Sequence, residues 1–276
     1  MGLPGEYSCD PNNFKVTDKM IQNYNDFGFF LDEVAKLKTA VEHERFTKHS
    51  YGLSDEDKRQ AGLIMWKHPG NDVTGMLARC EKVVGTCEKV LGGEVYHYHT
   101  KLFTKDAKTG GKLIWHQDYG YWYKNGCLFP DLMTAFIPID RCYKENGCLE
   151  ILEGSHKCGR IQHNLQTSQT GADLERLEHL KAVCPHRVVE MDAGDTLFFH
   201  CNLLHTSGFN TSDTKRWALI PCYNLKTNNP VYEHHHPQYT PLQKVPDTAI
   251  MECQNFDDLS GKMFNVPEED RTVNAK

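Results

Sequence analysis

His116 and Asp118 stand two residues apart in the run Trp115-His116-Gln117-Asp118-Tyr119. On an extended strand, residues i and i+2 share a face, so an imidazole and a carboxylate at this spacing can reach one metal ion. Such a pair occurs often by chance, and satisfied core histidines are the plain alternative. A third donor has to come from far along the chain. His156, His186, His200 and His205 are the downstream candidates, and His205 is the best placed. Gly194–His200 reads as a buried strand, Cys201–Leu204 turns it, and His205 then heads a new strand facing the same mouth. Two histidines and one carboxylate on one face suit Fe(II).

Arg216 lies eleven residues after His205 and opens the strand-like run Trp217-Ala218-Leu219-Ile220. Alone, it reads as a surface residue in the turn after Asp213-Thr214-Lys215. Beside the metal pattern it reads differently, because a guanidinium at the inner end of an apolar strand needs an anion. 2-Oxoglutarate offers two anionic ends: its keto acid chelates iron and its distal carboxylate takes a bidentate pair.

Strands must hold these groups, and the chain supplies them. Val95 to Lys105 alternates, with Val95, His97, His99, Lys101, Phe103 and Lys105 expected on one face and Tyr96, Tyr98, Thr100, Leu102 and Thr104 on the other. Short strands are expected at 113–116, 132–139, 148–152, 188–191, 196–200 and 217–223, with turns at Asn146-Gly147 and Asp192–Asp195. A polar insertion, 162–182, contains a helix expected over 173–181. Ahead of the strands, 72–91 reads as one amphipathic helix stopped by Gly92-Gly93. A short helix at 18–24, breaking at Gly28 into an apolar strand, and a helix at 31–45 precede it. The expected fold is mainly β: a jelly roll, the cupin-like double-stranded β-helix, with flanking N-terminal helices. One domain spans 1–276, with a helical preface at about 16–92, a jelly-roll core at about 94–225 and a C-terminal extension at about 226–276.

Composition narrows the partners. The net charge is −6 and no Lys/Arg run appears, which argues against nucleic acid or an anionic membrane as the main partner. No apolar run approaches the ~20 residues of a membrane span. The start carries no secretory signal, Glu6 stands where a myristoylation motif wants Ser or Thr, and the end carries no peroxisomal address. Eleven cysteines without a CxxC pair fit reduced thiols, and Cys142 with Cys148 lacks the other half of a zinc site. The expected location is the cytoplasm. No feature sets an oligomeric state.

The ordered motifs resemble the phytanoyl-CoA hydroxylase family of iron/2-oxoglutarate dioxygenases, which includes ectoine hydroxylase and free-proline hydroxylases. The resemblance spans about 16–225. It rests on Asn25-Asp26-Phe27-Gly28-Phe29, His116-Gln117-Asp118, Glu145–Leu149, Glu153–Lys157, Gly194–His200, His205-Thr206-Ser207 and Arg216. It implies Fe(II), 2-oxoglutarate and O2 as cofactor and cosubstrates, with ascorbate as an accessory reductant. It implies His116, Asp118 and His205 as catalytic iron ligands, Arg216 as the anchor of the distal carboxylate, and Ser207 as its helper. Lys105 matches a family lysine that contacts 2-oxoglutarate, and Lys101 on the same strand face is a second candidate. His156 falls in a family turn with a structural role. The opening departs from the family, since the stretch after Phe30 runs straight into a helix.

On the substrate side the expected residues are Trp122, at the position of a substrate-proximal Trp in ectoine hydroxylase, with Tyr119, Tyr121 and His99. With Lys101 they describe an aromatic and cationic pocket suited to a small amino- or imino-acid-like molecule. Succinate and CO2 are the implied by-products. The carboxylate of Asp118 argues for hydroxylation, because halogenating relatives lack it. Hydroxylation of an acyl-CoA or lipid-like substrate is the alternative, and a non-catalytic 2-oxoglutarate- or metal-binding relative is another. A zinc or nickel cupin would want a tighter His-rich set. His234-His235-His236 reads as a loop that caps or packs, with the pocket rim as the other option.

Overall fold

The computed structural model describes residues 6–7, 17–19, 21, 29–33, 47–166, 168–256 and 258–266. Most of the 25–29 motif and residues 34–45 of the expected second helix lie outside the described residues. Asp18, Lys19 and Ile21 are helical, as expected.

The strands are β1 (Glu6–Tyr7), β2 (Phe29–Glu33), β3 (Tyr51–Ser54), β4 (Gln60–Trp66) and β5 (Val95–Lys105). They continue with β6 (Leu113–His116), β7 (Leu132–Pro138), β8 (Leu149–Leu152), β9 (His163–Gln166) and β10 (Gln169–Ala172). β11 (His186–Val189), β12 (Asp195–His200), β13 (His205–Ser207) and β14 (Arg216–Leu225) complete the set. One sheet has the order β1-β2-β12-β7-β14-β5-β4-β3, a second has β11-β8-β13-β6, and β9 and β10 form a hairpin. Non-consecutive neighbours in both larger sheets give the double-stranded β-helix the sequence suggests.

Alternation sorts the side chains. Met133, Ala135 and Ile137 of β7, Phe198 of β12 and Leu219 of β14 join the core under the helices. Their neighbours Phe136, Leu197, Phe199 and Ala218 join Leu149 and Ile151 of the smaller sheet in a core between the sheets. Leu77, Val83 and Val84 of the helices are fully buried on the outer face of the larger sheet, and each such side chain stabilises by roughly 1.5–3 kcal/mol.

Three expectations are corrected. The 72–91 helix is two helices, Val73–Arg79 and Glu81–Leu91, because Cys80 turns extended with ψ 150. Val245 from the C-terminal extension pairs there, accepting from the Glu81 N–H at 3.1 Å and donating to the Arg79 carbonyl at 3.0 Å. Gly92 does stop the second helix, in the left-handed region at φ 80. The preface is also not purely helical. Leu31–Glu33 extends β2 along β12, and β3 and β4 widen the sheet beside β5.

The third correction lies within β5. Cys222 faces His99 but Tyr223 faces His97, so Tyr98 is an extra residue, a β-bulge. The bulge reverses the alternation. His97 leaves the expected face and bonds to the Lys67 carbonyl and Thr100 Oγ1, while Tyr98 turns toward Trp122. Beyond β14 the chain wraps back over the helices, where buried Lys262 meets Asp72 at 2.7 Å. No helix among the described residues is long and apolar enough to cross a membrane.

Candidate active site

β6 ends on His116 and β13 begins on His205, and the two are direct antiparallel partners. Their ring centroids lie 4.1 Å apart. After His116 the chain passes through extended Gln117 into a short helix, Asp118–Trp122, that swings the carboxylate alongside. Ligand atoms of His116, Asp118 and His205 lie within 4.8 Å of one another, the only such His/Cys/Asp/Glu group among the described residues.

Each imidazole is oriented by its own backbone. His116 Nδ1 lies 2.8 Å from the Ile114 carbonyl oxygen and His205 Nδ1 lies 2.9 Å from that of Leu203. A carbonyl only accepts, so Nδ1 carries the proton and Nε2 keeps the lone pair a metal needs. Burial pushes both imidazoles below their usual range, His116 furthest, which favours the neutral form that ligates. Burial would raise Asp118, but chiefly the Lys101 ammonium, with the Thr134 hydroxyl, holds its carboxyl at about 2. Its Oδ1 accepts from Lys101 Nζ at 3.2 Å and its Oδ2 from Thr134 Oγ1 at 2.8 Å. One carboxylate and two neutral imidazoles fit a divalent ion of intermediate hardness, and Fe(II) is the ion this set suits.

Gln117 ties this turn to its surroundings. Its Nε2 donates to the Gly159 and Asn202 carbonyls at 2.9 and 2.7 Å, and its Oε1 accepts from the Ile161 N–H at 2.7 Å. The residue between the two donors is therefore a fixed brace. Ser155 braces the other side, its Oγ accepting from the Leu204 N–H at 2.9 Å just before His205. Gln117→Ala should cost about 1–3 kcal/mol for each buried group left unpaired. Thermal unfolding reads this as a Tm lower by several degrees, and an unchanged Tm would remove the bracing role.

The three donors border a cavity of about 390 Å³, within the range of small-molecule sites. Arg216 reaches it from the first residue of β14, 1% exposed, its guanidinium over the rings of Phe103 and Phe136. Nη2 donates to the Gly147 carbonyl at 2.7 Å, whereas Nε and Nη1 have no hydrogen-bond partner among the described residues. Residue 147 must be glycine there, because its φ of 74 and the Gly208 carbonyl, close against where a Cβ would sit, both exclude a side chain. Ser207 Oγ, also buried and without such a partner, lines the same cavity. A buried fork with two unpartnered nitrogens beside a free hydroxyl fits a carboxylate.

Of the expected substrate-side residues, His99, Tyr121 and Trp122 line the cavity, as does Lys101. Tyr119 does not. The short helix rotates it away, and its hydroxyl donates to the Cys127 carbonyl at 3.1 Å. Lys105 is buried behind Arg216 and outside the cavity wall. Its Nζ donates to the Gly208 carbonyl, and burial together with the Arg216 charge pushes its pKa far down. His156 stays off the wall, while His236 is buried and lines it. Sequence reading missed Thr134, Asn125 and the β9–β10 hairpin, whose Ser168, Gln169 and Thr170 close one side. The hairpin lies in the polar 162–172 run, where Gln166 pairs with Gln169.

The model of the family described as phytanoyl-CoA dioxygenase (PhyH) matches residues 15–218. L-proline trans-4-hydroxylase of Streptomyces griseoviridis is 28% identical over 217 residues, which cover 72% of this chain and 81% of that protein. Ectoine dioxygenase of Stutzerimonas stutzeri is 23% identical over 248 residues, 82% of each chain. The structure of EctD from S. alaskensis with 2-oxoglutarate and 5-hydroxyectoine superposes with a TM-score of 0.67 at 16% identity. That match covers 88% of this chain and 93% of EctD, a likeness of fold.

Proposed function

Because this chain belongs to the phytanoyl-CoA dioxygenase family, we propose that it hydroxylates a small amino- or imino-acid-like molecule at the expense of 2-oxoglutarate and O2. The observation that carries the reading is the pairing of a two-His, one-Asp donor set with the half-satisfied guanidinium of Arg216 in one cavity. Bound Fe(II) with 2-oxoglutarate supplies the oxidising chemistry, in which O2 is consumed, succinate and CO2 leave, and the substrate gains a hydroxyl.

The chain's own residues do the rest. His116 and His205 would hold the iron through Nε2 and Asp118 through its carboxylate. Arg216 and Ser207 take the distal carboxylate, so cosubstrate enters in one orientation. Lys105 supports this end from behind, by holding the Gly208 carbonyl next to Ser207. Lys101 balances Asp118 and stands 5.6 Å from the Trp122 ring centroid, so both belong to the substrate side. Phe103, Phe136 and Phe199 exclude water around the donors. The ten described cysteines are all free thiols, which supports a cytoplasmic setting.

Succinate release, measured across free amino and imino acids, ectoine and acyl-CoAs, tests the reading. Turnover of acyl-CoA with none of any amino or imino acid would overturn the substrate class and leave the iron site standing. Trp122→Ala should raise the KM for substrate several-fold through loss of a buried aromatic face, worth ~0.5–1.5 kcal/mol beyond its area. Its iron and cosubstrate affinities should stay close to wild type.

A further inference from the structure

One end of the cavity holds polar atoms that no described residue satisfies. Both ring nitrogens of His99, Nδ1 of His236 and Oδ1 of Asn125 are buried without a hydrogen-bond partner among the described residues. All three side chains line the cavity, and they are 1%, 6% and 1% exposed. The His99 and His236 rings stand 4.7 Å apart, and each packs against Tyr98, at 5.2 and 4.7 Å. His99 also meets Trp122 at 5.5 Å. Asn125 Nδ2 donates to the Tyr98 hydroxyl at 3.3 Å, which leaves Oδ1 as the unpaired acceptor. The bulge in β5 makes this possible, because it puts Tyr98 and His99 against the same neighbours.

His236 belongs to neither sheet. It comes from the segment after β14, beyond the residues 15–218 that the family model matches. The rings of His234 and His235 pack behind it, with His235 tilted at 4.1 Å. These histidines do not form a second metal centre, since only the iron triad brings three ligand atoms within 4.8 Å among the described residues.

Chemistry then limits what completes the cluster. Burial, and then the neighbouring charge of His236 on His99 and of His235 and His234 on His236, pushes both well below the usual imidazole range, so both stand neutral. A neutral imidazole has one N–H donor and one acceptor nitrogen, and the Asn125 oxygen only accepts. The cluster therefore offers donors and acceptors within a few ångströms. An acyl chain would leave every one of them unpaired, and a purely anionic head would leave the acceptors facing negative charge. An ammonium and a carboxylate on one carbon answer both needs.

We propose that His99, His236 and Asn125 read the head group of a free zwitterionic α-amino or α-imino acid, and that His236 is a specificity residue supplied by the segment after the last strand. The ammonium lies toward the Asn125 oxygen and an imidazole acceptor, the carboxylate toward the imidazole N–H groups. This rests on the hydroxylase reading above, and goes further by fixing which end of the substrate is recognised, and by what.

The test is calorimetric titration under nitrogen of the protein loaded with Fe(II) and 2-oxoglutarate. The probes are the proteinogenic amino acids and pipecolate, each beside its methyl ester, with octanoyl-CoA for contrast. At least one free acid should bind, and its ester, which lacks the carboxylate charge, should bind about tenfold more weakly or worse, the factor expected for one buried polar group left unmatched. His236→Phe and His99→Phe should weaken the free acid similarly, and His236→Asn, which keeps a donor and an acceptor, should restore most of it. No binding by any free acid, equal binding of acid and ester, or unchanged affinity in both Phe variants overturns the proposal. The ester comparison uses wild-type protein, so it stands even if a variant misfolds. Failure of the wild-type protein to form the visible Fe(II)/2-oxoglutarate chelate band is a separate result, and it sinks the underlying hydroxylase reading.

Discussion

Alanine at His116 or at Asp118 is expected to abolish the weak visible charge-transfer band that Fe(II) and 2-oxoglutarate give together, and with it succinate formation. Each change removes one of three donors whose ligand atoms lie within 4.8 Å of one another, and two protein donors hold Fe(II) poorly. A scale comes from the surrounding shell: loss of an outer partner typically costs about 10–100-fold in metal affinity, and loss of a ligand should exceed that. Thr134→Val supplies the outer-partner comparison, because Thr134 Oγ1 donates to Asp118 Oδ2 at 2.8 Å without belonging to the donor set. The expected order of iron affinity is wild type, then Thr134→Val, then either alanine variant. Anaerobic titration of Fe(II) into the 2-oxoglutarate-saturated protein measures it. Equal affinity in wild type and both alanine variants would place the metal elsewhere.

What could be read from the sequence follows from how local each signal is. His116 and Asp118 were visible because a spacing of two carries its own geometry. His205 was visible because an apolar strand, a tight turn and a new strand have to bring it back to the same mouth. Arg216 was visible because a charge at the head of an apolar run asks for a partner. The departures come from long-range contacts with no local signature. Cys80 breaks an otherwise unbroken helical period because Val245, far along the chain, pairs beside it. Tyr98 shifts the register of β5 because β14 pairs with one residue fewer there, and this moves His97 off the expected face. Tyr119 leaves the cavity because the chain turns helical at Asp118, where a continuing strand was the natural reading. His236 arrives from a segment with no periodicity to betray where it lands.

Arg216→Ala is expected to raise the 2-oxoglutarate requirement steeply while leaving the cosubstrate-free protein at least as stable as wild type. The two effects have opposite causes. In the bound state a desolvated guanidinium pairs with a carboxylate, and removing one partner of such a pair costs roughly 2–5 kcal/mol, about 30- to several-thousand-fold in affinity. In the free state Arg216 is 1% exposed, and burial works against its charge. Its Nε and Nη1 have no partner among the described residues, so the protein carries an imperfectly compensated cation. The 2.7 Å bond from Nη2 to the Gly147 carbonyl and the guanidinium's contacts with the Phe103 and Phe136 rings oppose its removal. A merely structural arginine would behave otherwise, because its loss would lower stability and leave cosubstrate affinity alone. Arg216→Lys separates charge from shape. It keeps the cation but loses the planar fork, so its affinity should fall between the other two. Lys105→Ala should shift affinity less, since Lys105 donates to the Gly208 carbonyl and reaches the cosubstrate only through the segment it supports. Titration of 2-oxoglutarate followed by the chelate band, with thermal unfolding of each variant, reads both quantities. A normal cosubstrate affinity in Arg216→Ala, or a large fall in Tm without loss of affinity, would refute the anchoring role.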